Sequence, residues 1–92
     1  LMAKRAARVD ALRNLVETIY GVRIDSETTV RVFVTQSDVI HSRLKALIQG
    51  AREVDYVEYP DGTAKVTVEI TVGRVEDILG RKLYYNYKTF RA

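Results

Sequence analysis

Residues 10–35 read DALRNLVETIYGVRIDSETTVRVFVT, and the spacing of the apolar residues changes period halfway along this stretch. Up to Tyr20 the spacing is helical. Leu12, Leu15, Val16 and Ile19 fall at i, i+3, i+4 and i+7, Ala7 and Ala11 extend the stripe, and Lys4, Arg5, Arg8, Arg13 and Glu17 occupy other faces. Gly21 terminates that helix, since glycine takes left-handed backbone without a Cβ penalty. From Val22 the period drops to two. Val22, Ile24, Ser26, Thr28, Val30, Val32 and Val34 point one way and Arg23, Asp25, Glu27, Thr29, Arg31 and Phe33 the other, which predicts a strand over residues 22–34. At about 3.3 Å per residue such a strand would span roughly 43 Å, longer than a small domain covers. Its middle, residues 25–29, is wholly polar, so a bulge or bend near Ser26 is expected.

The rest of the chain alternates in kind. Thr35 or Ser37 is placed to cap a second helix, with Asp38 favouring its dipole, Ile40, Leu44, Leu47 and Ile48 forming its apolar stripe and Gly50 closing it. Residues 53–59 read as a strand, Pro60-Asp61-Gly62 as a turn, and residues 64–72 as the cleanest one-face-buried strand, with Ala64, Val66, Val68, Ile70 and Val72 alternating with polar residues. Residues 74–79 suit a short helix ending at Gly80, followed by a tyrosine-rich, β-prone tail. The order α-β-α-β-β, with a short helix and an optional terminal strand, predicts an α+β two-layer sandwich. Its two main helices would cover one face of a three- to four-stranded mixed or antiparallel sheet. The strand over 64–72 would lie centrally, between the other two. The predicted core is Leu12, Leu15, Val16, Ile19, Val30, Val32, Ile40, Leu44, Leu47, Val66, Val68 and Ile70.

At 92 residues the chain is expected to form one domain, with residues 1–72 as its main body and 73–92 as a short helix or turn plus tail. Hydrophobic residues make up 47% and charged residues 29%, which argues against disorder. The net charge of +3 permits polyanion binding without demanding it. No apolar run is long enough for a membrane span or a signal-peptide core. The chain is therefore read as either cytosolic or the excised, mature part of an exported protein.

Candidate chemistry is sparse. His41 is the sole histidine and there is no cysteine, so a zinc or nucleophilic site lacks ligands, and His41 reads as a partly exposed helix residue. On a strand, Asp25 and Glu27 would place two carboxylates about 7 Å apart, the spacing of a glycosidase-like pair. Arg23 and Arg31 flank them, however, and favour a solvated charge ladder. Glu76 and Asp77 sit in a short polar turn and are no better placed. No catalytic, cofactor-binding or metal-ligating residue is assigned and no enzymatic activity is expected. The basic residues Lys4, Arg5, Arg8 and Arg13, together with the tail Arg81, Lys82, Tyr84, Tyr85, Tyr87, Lys88, Phe90 and Arg91, have the composition of a nucleic-acid stacking surface, the alternative reading. No recognised nucleic-acid motif accompanies them. The preferred reading makes Ser26, Glu27, Thr28, Thr29, Tyr84, Tyr85, Tyr87 and Phe90 protein-interaction candidates, because a long strand and an aromatic tail would offer unpaired edges.

A resemblance sharpens this picture. Ala11-Leu12-Arg13-Asn14-Leu15, then Tyr20-Gly21-Val22-Arg23-Ile24-Asp25-Ser26-Glu27-Thr28-Thr29-Val30, the Gly50-Ala51 helix exit and the Pro60-Asp61-Gly62 turn before Val66 together resemble the LPP-twenty-type lipoprotein family. That family includes the flagellar assembly proteins T, in its amino-terminal region, and P. The similarity runs over residues 3–72. It implies a non-enzymatic protein of the periplasm or outer membrane that supports flagellar basal-body structure or envelope organisation. No cofactor is implied. The implied partners are further copies of itself or neighbouring flagellar or envelope proteins, with no small-molecule substrate. Membrane attachment would go only through a lipid-bearing Cys that has no counterpart here.

Overall fold

The computed structural model describes residues 2–92. Seven elements follow one another: α1 (Met2–Tyr20), α2 (Val30–Val34), α3 (Asp38–Gln49), β1 (Arg52–Glu58), β2 (Ala64–Thr71), α4 (Val72–Leu79) and β3 (Thr89–Arg91). The fold class is α+β, with four helices packed against a three-stranded antiparallel sheet of order β1-β2-β3.

The expected strand over residues 22–34 does not form, and the element order α-β-α-β-β is corrected accordingly. The polypeptide instead folds back on itself. Val30 N–H donates to the Val22 carbonyl (2.9 Å) and Ile24 N–H to the Thr28 carbonyl (2.8 Å), closing a tight loop over residues 22–30. The Thr29 side chain then caps α2 by accepting from Val32 N–H. Val30 and Val34, four residues apart, are buried on one face of this single turn of helix. Val32, expected in the core, is 51% exposed. The valines at 30, 32 and 34 satisfy a period of two and a spacing of four equally well, and the cap at Thr29 selects the helix.

Elsewhere most local signals and structure agree, although Gly21 ends α1 without the left-handed backbone expected of it, and Ile40 and Leu47, expected in the core, are half-buried. α1 buries Ala7, Ala11, Leu15 and Ile19, which repeat at i+4, with Leu12 and Val16 half-buried beside them. Ser37 caps α3 by accepting from Ile40 N–H, and Gly50 ends it. β1 and β2 form a hairpin in which Tyr59 N–H donates to the Thr63 carbonyl and Gly62 takes φ +88 at the turn. That φ lies in the left-handed region that favours glycine. β2 is central, as expected, but it lies between β1 and the C-terminal β3. Its even-numbered residues Val66, Val68 and Ile70 are buried toward the helices, and α1 lies against them. Thr71 leads straight into α4, whose end is set by Gly80 at φ +68. In β3, Phe90 is fully buried and pairs with Ile70. Cross-strand ion pairs of Glu69 with Arg52 and Arg91 add to the packing of this small sheet, and the central strand and the helix across it carry the core.

Candidate interaction surface

The loop after α1 and the C-terminal tail meet at one residue. Arg23 forms an isolated bridge with Thr29 on one side and with Tyr84 on the other, and Tyr84 N–H donates to the Arg23 carbonyl at 2.9 Å. Asp25 builds the loop. Its Oδ1 accepts from the backbone N–H of Glu27 (2.9 Å) and of Thr28 (2.8 Å), an Asx turn that directs Ser26 and Glu27 outward. The Arg23 guanidinium donates to the Ser26 carbonyl (3.0 Å). Arg81, at the start of the tail, reaches Asp25 Oδ2 at 3.5 Å and lies 5.6 Å from the Phe33 ring centroid, so it ties the tail to both the loop and α2.

These contacts decide the charge chemistry. The backbone N–H of Glu27 at its carboxylate, with Thr28 and Arg81 beside it, holds the Asp25 carboxyl below its ordinary value. A carboxylate whose oxygens are occupied by backbone donors and a guanidinium is a structural acceptor rather than a proton donor. Glu27 does not face it as a second acid but lends it a backbone N–H. His41 is exposed on α3, with its ring 6.3 Å from that of Tyr20. Among the described residues no group of three or more His, Asp or Glu side chains is placed to hold a metal ion.

The eight interaction candidates separate into three sets. Ser26, Glu27, Tyr84 and Tyr87 are exposed, Tyr84 at 67% and Tyr87 at 71%, while Thr28, Thr29 and Tyr85 are half-buried. Phe90 is a core residue at 0% exposure, with the Tyr85 ring tilted against it at a centroid distance of 4.4 Å, and is not available to a partner. Leu83 is buried too, so the tail is less open than its composition suggests. The basic residues of α1 are largely engaged within the chain. Lys4 and Arg8 both reach Glu53, Lys4 also lies over the Tyr56 ring, and Arg13 pairs with Asp10.

Two positions that the sequence did not single out as ligand sites line the surface beside the tail. Glu76 Oε2 accepts from Leu83 N–H (2.8 Å), holding the tail against α4, and Gly73 leaves the start of α4 bare. No local pattern marks either one, because each becomes relevant only when the tail folds across α4.

In this small α+β domain the loop tip at Ser26 and Glu27 and the tail tyrosines Tyr84 and Tyr87 are exposed. The chain belongs to the LPP20 lipoprotein family, whose model matches residues 2–71. Membership associates it with the cell envelope in a non-enzymatic role. No curated protein and no solved structure matches it. None of the helices is long and apolar enough to cross a membrane among the described residues. The matched segment explains the shape of the recognised signature. Val22, Ile24 and Val30 are its buried anchors, Asp25 its turn-former and Thr29 its helix cap.

Proposed function

We propose that this domain is a structural or assembly module of the cell envelope that works by protein–protein contact, through Ser26, Glu27, Thr28 and Thr29 of the loop together with Tyr84, Tyr85 and Tyr87 of the tail. The observation that supports this most is the double bridge at Arg23, which makes loop and tail one continuous surface. Exposed tyrosines on an ordered backbone suit such a role, because they offer large contact area at low entropic cost. The partner is a second copy of the chain or a neighbouring envelope protein. Support of the flagellar basal body is the narrower form of this proposal.

Sedimentation velocity over a wide concentration range, with and without the double change Glu27→Lys and Tyr84→Ala, tests the self-association arm. Mass that rises with concentration in the parent and not in the variant supports it. A strict monomer, together with failure of the parent to retain any envelope protein that the variant loses, defeats the proposal. The flagellar form is judged separately, by motility and basal-body integrity in cells lacking the protein.

A further inference from the structure

The tail and α4 enclose a shallow trough, which includes Tyr85 and Tyr87 of the contact surface above and continues over α4. One part, ≈ 420 Å³, is lined by Thr71, Val72, Gly73, Glu76, Tyr85, Tyr87 and Lys88. The adjoining part, ≈ 430 Å³, shares Gly73 and Glu76 and continues over Asp77, Gly80, Arg81 and Lys82. Its wall is fixed, since Val72 N–H donates to the Lys88 carbonyl (2.8 Å) and Glu76 Oε2 holds Leu83 N–H. A side chain at Gly73 would project into open space, so glycine there leaves the trough unfilled.

We propose that this trough binds a neutral saccharide chain. Tyr85 packs against Phe90, and the Tyr87 ring, 71% exposed, stands at 68° to that of Tyr85 with centroids 5.6 Å apart. An exposed aromatic ring suits the C–H face of a pyranose, whose axial hydrogens meet the negative face of the ring. Around it stand the acceptors that sugar hydroxyls need. Glu76 keeps Oε1 without a hydrogen bond among the described residues, and Asp77 is exposed. An ionised carboxylate offers about four acceptor sites and bonds strongly to paired hydroxyls.

The competing ligands fit less well. A proline-rich peptide wants a groove lined by successive aromatic side chains, whereas Tyr85 and Tyr87 stand at 68° to each other and do not form parallel walls. A phosphate backbone would meet Glu76 and Asp77 as well as Arg81, Lys82 and Lys88, so the trough offers a polyanion no uniformly positive lining. The trough is built mainly by residues beyond Thr71, so the site is carried by the part of the chain outside the family match. It does not depend on the contact role proposed above.

Titration of the isotope-labelled protein with cellohexaose and with the N-acetylglucosamine hexamer, followed by NMR, tests the inference. Saturable shifts centred on Gly73, Glu76, Tyr85 and Tyr87 with either hexamer are expected. Tyr87→Ala and Gly73→Leu should each weaken binding by about tenfold or more, a large share of a weak affinity, while the thermal midpoint of Gly73→Leu stays at or above that of the parent. Absence of saturable shifts with both hexamers at millimolar concentration overturns the proposal. So does binding that both variants retain, or a proline-rich peptide or oligonucleotide that shifts the same residues when neither saccharide does.

Discussion

Tyr84 N–H donates to the carbonyl of Arg23 at 2.9 Å, joining the C-terminal tail to the loop that follows the first helix. With Arg81 on Asp25 and Phe90 paired to Ile70, the last dozen residues are built into the fold at three places. A tail held this way can present Tyr84 and Tyr87 in a fixed orientation.

Removal of residues 83–92 should therefore destabilise the whole domain. It deletes buried Leu83, fully buried Phe90 and the whole of β3. The milder change Phe90→Ala should cost about 3–5 kcal/mol, in the range of large-to-small changes in a rigid core. Urea unfolding followed by circular dichroism measures this. A loss below about 1 kcal/mol would show that the β3 edge is not part of the cooperative unit.

The helix at 30–34 makes a contrast between neighbouring valines. Val30 is fully buried and Val32 is 51% exposed. Val30→Ala should destabilise by roughly 2 kcal/mol, whereas Val32→Ala should stay within about 0.5 kcal/mol. Equal costs at the two positions would restore the strand, in which both valines share one face.

What the sequence shows here follows how local each signal is. Ser37 and Gly50 bracket α3, Pro60-Asp61-Gly62 turns the hairpin, and the alternation of β2 marks its buried face, because in each case the deciding atoms lie within a few residues. The stretch 22–34 defeats the same reasoning. Its alternation is real, but the Val22–Val30 hydrogen bond folds the strand pattern into a loop before it can pair with the sheet. The burial of Phe90 and the trough at Gly73 are equally invisible locally, since both depend on the tail returning to β2 and α4. Among the contact candidates, Ser26, Glu27, Tyr84 and Tyr87 were legible as polar or aromatic residues near an expected bend or tail, and the structure adds that Arg23 joins them.

Two glycines at the ends of α4 should respond in opposite directions. Gly73 lies at the second position of the helix with free space around it, so Gly73→Ala should stabilise by about 0.5–1 kcal/mol through helix propensity and reduced freedom of the unfolded chain. Gly80 sits at φ +68, so Gly80→Ala should cost about 1–2 kcal/mol, since an L side chain is strained in that region. Thermal melts of the two variants read both signs, and a shift of the same sign in each would contradict the assigned backbone of α4.

Acid should weaken the fold through two carboxylates, one in the sheet and one in the loop. Asp25 is held below its ordinary value of 3.8 chiefly by the backbone N–H of Glu27, and Glu69 below its value of 4.5 chiefly by hydrogen bonds from Arg91, with Arg52 also contributing. A carboxyl whose folded pKa is depressed stabilises the native state fully above its unfolded pKa, and that contribution is lost as pH falls through the folded value. Stability should thus be flat from neutral pH down to the upper carboxylate range and should decline below 4.5 and then 3.8, where first Glu69 and then Asp25 begin to bind protons only in the unfolded chain. Asp25→Asn should lower stability at neutral pH and flatten the decline below 3.8, because an amide cannot titrate and pairs poorly with Arg81. Denaturation midpoints measured at steps from pH 7 to pH 3 in parent and variant provide the comparison. An acid decline equally steep in both would mean that Asp25 does not anchor the loop, and that the surface shared by Arg23 and Tyr84 is held by other groups.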